Sequence, residues 1–81
     1  MEIKKGGIFI KLENIGKIQN GKFKNWFIII KNDVENTGGY LLIQSPTKDF
    51  SLAGYDNWFI NLEEVIQYIE FNGLLIEWDV E

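Results

Sequence analysis

The chain has 81 residues, 46% hydrophobic and twelve of them aromatic, with no cysteine, histidine or arginine. That length makes one domain, residues 1–81, near the lower limit at which a single core suffices, and without cysteine neither a disulfide framework nor a zinc–thiolate site can form. The formal net charge of -4 is unevenly spread, because Met1–Lys48 carries all eight lysines against four acids while Asp49–Glu81 carries eight acids and no base. Local field, more than net charge, selects a partner, so the acidic part predicts a basic one. The longest apolar run, Trp26–Ile30, is far short of a membrane span. Met1–Gly7 is charged and is not followed by the apolar segment of a signal peptide. A folded, soluble, cytoplasmic protein is therefore expected. The lack of arginine removes the side chain best suited to bidentate phosphate and guanine contacts, which argues against direct binding of nucleic acid.

In chain order, Ile8, Ile10 and Leu12 alternate with Phe9, Lys11 and Glu13, which predicts a first strand over Gly7–Glu13. Asn20-Gly21 is a strong turn dipeptide, and the aromatic and β-branched run Lys22–Lys31 after it predicts a second strand hairpin-paired with the preceding segment. Both faces of that run are apolar, with Trp26, Ile28 and Ile30 on one side and Phe27 and Ile29 on the other, as suits a central strand. Asn32–Gly39 has the polar, glycine-rich chemistry of a hairpin loop. A third strand, Tyr40–Ser45, is ended by Pro46, which has no amide to donate. Thr47–Phe59 reads as a long irregular loop rich in aromatics.

Asn61 predicts a helix N-cap, with Glu64 completing an Asn-x-x-Glu capping box and Ile60 stapling to Val65. Leu62, Val65, Ile66 and Ile69 form the buried stripe, Glu63, Glu64, Gln67 and Glu70 face outward, and Gly73 takes the left-handed position past the helix end. Leu74, Ile76, Trp78 and Val80 then alternate as a last strand. The expected fold is an α+β two-layer sandwich of order β-β-β-α-β, a mainly antiparallel four-stranded sheet with one helix on one face. The other face would leave Phe9, Phe27, Ile29, Leu41 and Ile43 to be covered by the long loop or by a second molecule in a homodimer.

The residues of general acid–base and nucleophilic catalysis are nearly absent. Ser45 and Ser51 flank a turn without a glycine-framed elbow. The adjacent acids Glu63 and Glu64 suit the first turn of a helix, where carboxylates favour the macrodipole. Asp33, Glu35 and Asn36 lack the spacing of a calcium loop, and no glycine-rich phosphate cradle is present. The chain reads as a non-enzymatic protein with no cofactor and no metal.

Gly-Gly-Tyr-Leu-Leu-Ile at 38–43, Gly-Tyr-Asp-Asn-Trp-Phe at 54–59 and Ile-Glu-Trp at 76–78 after a helix, in a small acidic domain, resemble bacterial immunity proteins of polymorphic-toxin and contact-dependent growth inhibition systems. The resemblance implies a preformed acidic surface that neutralises a basic cognate toxin, often a nuclease. It fits the residue-level reading, in which Asp56, Glu63, Glu64 and Glu70 steer and pair with the partner and Tyr55 is an aromatic anchor. Two other readings are a DNA mimic that occupies a nucleic-acid-binding protein, and a structural or homodimeric subunit.

Overall fold

The computed structural model describes residues 2–52 and 54–79. Its elements in chain order are strands β1 (Glu2–Lys5), β2 (Ile8–Lys11), β3 (Gly16–Ile18) and β4 (Phe27–Asp33), helix α1 (Val34–Thr37), strands β5 (Gly39–Ser45) and β6 (Tyr55–Phe59), helix α2 (Leu62–Phe71) and strand β7 (Ile76–Trp78). Five strands form one antiparallel sheet of order β6-β5-β4-β3-β7, while β1 and β2 pair as a separate hairpin. The α+β character is as expected. The main sheet, however, has five strands and not four, and a second, one-turn helix is added.

Register explains which side of the sheet is filled. Ile28 pairs with Gln44 and Gln44 with Tyr55, Ile30 pairs with Leu42, and these side chains share the covered face. Against them pack Val65, Ile66 and Ile69 of α2 and Ile10 and Leu12 at the end of the hairpin, so that α2 and β2 together form the second layer. The central residues Ile10, Ile18, Ile28, Ile30, Leu42 and Val65 are fully buried. Burial of each such side chain is worth about 1.5–3 kcal/mol, which is how a chain this short holds together without cross-links.

Several expected elements differ. The first strand is shorter than Gly7–Glu13 and pairs with Glu2–Lys5, because a glycine pair at 6 and 7, both at positive φ, turns the chain back on itself. The partner of the Phe27–Asp33 strand across the Asn20-Gly21 turn is the short β3, and residues 21–25 are turns, so the strand begins at Phe27 and not at Lys22. Asn32–Gly39 does join a hairpin, but β4 continues to Asp33 and the connection is a helical turn closed by Gly38 at φ 83°. The stretch 55–59, expected to be irregular, is strand β6 on the sheet edge. The last strand covers Ile76–Trp78; Val80, assigned to it from sequence, lies outside the described residues.

The open face carries Phe27, Ile29, Leu41 and Ile43, all half-buried and outside the core cluster. Phe9, grouped with them from sequence, instead lies on the hairpin at 41% exposure, where its carbonyl accepts the Trp78 indole N–H at 2.9 Å.

Candidate functional site

Helix α2 is built by its ends. The Asn61 side chain accepts the Glu64 N–H at 2.9 Å, and the Glu64 carboxylate reaches back to the Ile60 N–H at 3.3 Å. The expected staple does not bury Ile60, which remains 56% exposed. At the other end Gly73, φ 61°, allows the Gly73 N–H to reach the Glu70 carbonyl and the Leu74 N–H to reach the Ile69 carbonyl, both at 3.1 Å. That pair is a Schellman motif. With Leu62, Val65, Ile66 and Ile69 turned inward, the helical repeat of about 100° per residue sends Glu64, Gln67 and Phe71 straight outward. Glu63 and Glu70 fall on one flank. Tyr68 falls on the other, its ring 5.3 Å from Phe59.

Phe71 is 90% exposed. It borders a shallow hollow of about 370 Å³ formed with Phe59, Glu64, Gln67 and Tyr68. Aromatic side chains ringed by polar groups are the usual composition of a protein-binding surface. Phe71 is not among the outward residues expected from sequence, which end at Glu70, yet its spacing of seven from Glu64 places it on the outer face.

The five residues singled out from sequence are not brought together. Glu63, Glu64 and Glu70 share α2, but Glu63 is ion-paired with Lys5 of the hairpin and Glu64 serves the cap. Tyr55 and Asp56 are consecutive in β6 and so point to opposite faces of the sheet. Tyr55 packs on the covered side in an aromatic cluster, 5.2 Å from Phe23 and 6.0 Å from Trp26, and remains 51% exposed. Asp56 lies on the open face, opposite Ile43.

The two-ended charge of the chain is partly cancelled within the fold. Lys11 is ion-paired with Asp79 and lies 3.6 Å from Glu2, while the Asn14 amide donates to Asp79 at 2.8 Å. The hydrogen bond from Lys11 holds the Asp79 carboxyl below its ordinary range, and the same bond raises the Lys11 ammonium above its own. Asp49 is also held low, by hydrogen bonds from the Ser51 hydroxyl and amide and then the Thr47 hydroxyl. These groups are at the surface, where such pairs contribute little to stability; their effect is on which charge is left to face outward. The distribution of charge along the chain does not reveal that β7 folds back beside β3.

The serines organise a turn: the Ser45 hydroxyl donates to the Leu52 carbonyl at 3.2 Å and accepts from the Thr47 N–H at 3.2 Å. Among the described residues no three Asp or Glu side chains gather as a metal site. No described helix is long and apolar enough to cross a membrane. Comparison of the chain with protein-family models, curated proteins and solved structures gave no match.

Proposed function

We propose that this chain is a non-enzymatic binding protein whose outward α2 face docks on a basic protein partner, in the manner of an immunity protein that occludes a toxin. The observation that carries the reading is Phe71, 90% exposed on a helix with three acids and no lysine. A large aromatic held in water is unfavourable unless a partner covers it, and Glu64 and Glu70 near it would raise the association rate of a cationic surface, with a smaller share from Glu63, which is ion-paired with Lys5. The anchor is thus Phe71 with the Phe59–Tyr68 shelf, and Tyr55 is reassigned to packing against Phe23 and Trp26. The DNA-mimic reading gains no support, since Lys5 and Lys11 interrupt the carboxylates that would have to imitate a phosphate array.

The test is growth of cells expressing the C-terminal portion of the reading frame immediately upstream, with and without this chain. Killing by that fragment and rescue by the chain are expected, with rescue lost in Phe71→Ala and weakened in the triple Glu63→Gln, Glu64→Gln, Glu70→Gln variant. Rescue that survives both changes would overturn the assignment of the surface. A harmless fragment would overturn the immunity reading itself.

A further inference from the structure

The two edges of the main sheet are finished very differently. Strand β7 is three residues long, and Asp79 just after it has a φ of 63° and a carboxylate tied to Lys11 and Asn14. Strand β6 is five residues long, pairs with β5 through an unbroken register and, although Asp56 carries one charge, contains no lysine, proline or bulge. Those are the devices by which proteins blunt an exposed edge. We infer that β6 is a self-pairing edge through which two copies of this chain join into one continuous antiparallel sheet, with Asn57 on the two-fold axis.

The sequence of β6 suits this pairing. A two-fold at Asn57 sets Tyr55 opposite the partner's Phe59, Asp56 opposite the partner's Trp58, and Asn57 opposite itself. This register engages all five residues. Tyr55 and Phe59 lie on the covered face of each sheet, so two aromatic cross-strand pairs form there, and such pairs are among those that stabilise a sheet. Asp56 meets an indole and not another carboxylate. The charges flanking the edge also match. Lys22 lies beside the Tyr55 end, its ammonium 5.6 Å from the Phe23 ring, which is itself 5.2 Å from Tyr55. Glu64 lies at the other end, bonded to the Ile60 N–H. Antiparallel pairing brings Lys22 of one copy toward Glu64 of the other at both ends of the interface. Because opposed residues have the same parity, both helix layers fall on one side of the joined sheet. Phe59 and Glu64 serve this seam and also border the hollow beside Phe71, so the dimer edge and the face proposed for the partner share those two residues.

The chain has no cysteine, so a single introduced thiol reports on its own position. Opposed residues of an antiparallel pair have Cα atoms about 4.5–5.5 Å apart, within the reach of a disulfide. In a glutathione redox buffer, Asn57→Cys should give a covalent dimer more than about tenfold faster than Lys31→Cys, which reports stacking through the open sheet face. Hydrogen exchange of the unsubstituted protein provides a second reading that does not depend on the variant's folding: β6 amides should exchange more slowly as protein concentration rises, while those of β7 should not change. Cross-linking of Lys31→Cys at an equal or greater rate would overturn the inference in favour of a face-to-face dimer. Exchange at β6 that is independent of concentration would overturn it and leave the edge to a different chain.

Discussion

Gln44 should be replaceable with a gain in stability. It lies in β5 with its side chain on the covered face, between Ile28 of β4 and Tyr55 of β6, at 1% exposure. Neither its Nε2 nor its Oε1 has a hydrogen-bond partner among the described residues. An amide taken out of water without replacement bonds costs about 1–3 kcal/mol. Methionine has nearly the same length and adapts to irregular surroundings, and a swap of matched volume typically loses less than about 1.5 kcal/mol. Gln44→Met is therefore expected to stabilise by about 1 kcal/mol, raising Tm by roughly 4–8 °C for a domain of this size. Gln44→Ala should do the reverse, because the cavity left behind outweighs the removal of the amide. Urea denaturation followed by tryptophan fluorescence checks both, with an unchanged m-value required for the comparison. A Gln44→Met variant less stable than the parent chain would refute the reasoning and show that the amide is satisfied in solution.

Three further outcomes follow from single features. Asn61→Ala removes the acceptor for the Glu64 N–H and should cost about 1 kcal/mol, read from the same urea titration. Gly39→Ala should destabilise by about 1–3 kcal/mol, because the new Cβ would lie 2.6 Å from Trp58 Cζ2 and closer still to the Phe59 carbonyl oxygen, which is part of the sheet backbone. The Lys11–Asp79 pair sets two pH limits. Asp79 is depressed below 3.8, so its contribution is present above that pH and is lost as pH falls through the lower folded value; Lys11 is raised above 10.5, so its contribution is present below that pH and is lost as pH rises through the higher folded value. Thermal melts of Asp79→Asn should accordingly show a shallower loss of stability than the parent at both extremes, and identical profiles would remove the pair from the account.

What the sequence revealed and what it hid divide along physical lines. Helix α2 was legible to within a residue because cap, stripe and terminating glycine are all local signals, and each corresponds to a hydrogen bond or burial seen in the structure. The alternation in Phe27–Ile30 correctly separated a buried face from an open one, since the side-chain period of a strand does not depend on its partner. Strand β6 was hidden for the opposite reason. Asp56 and Asn57 are poor strand formers, and what makes them extended is their pairing with Leu42 and Ile43, supplied by another part of the chain. Strand β3 was missed because Gly16–Ile18 is too short to show a period. A Cβ at Gly16 would lie 2.6 Å from Ile76 Cγ2 and 2.9 Å from Trp78 Cε3, so the glycine makes room for the side chains of β7, a need that only the folded pairing reveals. For the candidate site, charge type was legible and charge placement was not. Which acids face outward depends on Lys5 and Lys11 arriving from the far end of the sequence.

That closure also bears on how the molecule forms. Lys11 and Asp79 are 68 positions apart, and β3 has only one of its two neighbours until β7 arrives. A nascent chain must therefore be synthesised through Asp79 before the sheet is whole, and pairing at such separation makes folding slow relative to a helical protein of equal length. The excess of lysines in one part and acids in the other would draw the ends of the unfolded chain together across the distance at which counterions do not screen them. The same polarity that orients the folded surface would then act earlier, as an attraction that shortens the search for the last strand and fades as salt is added.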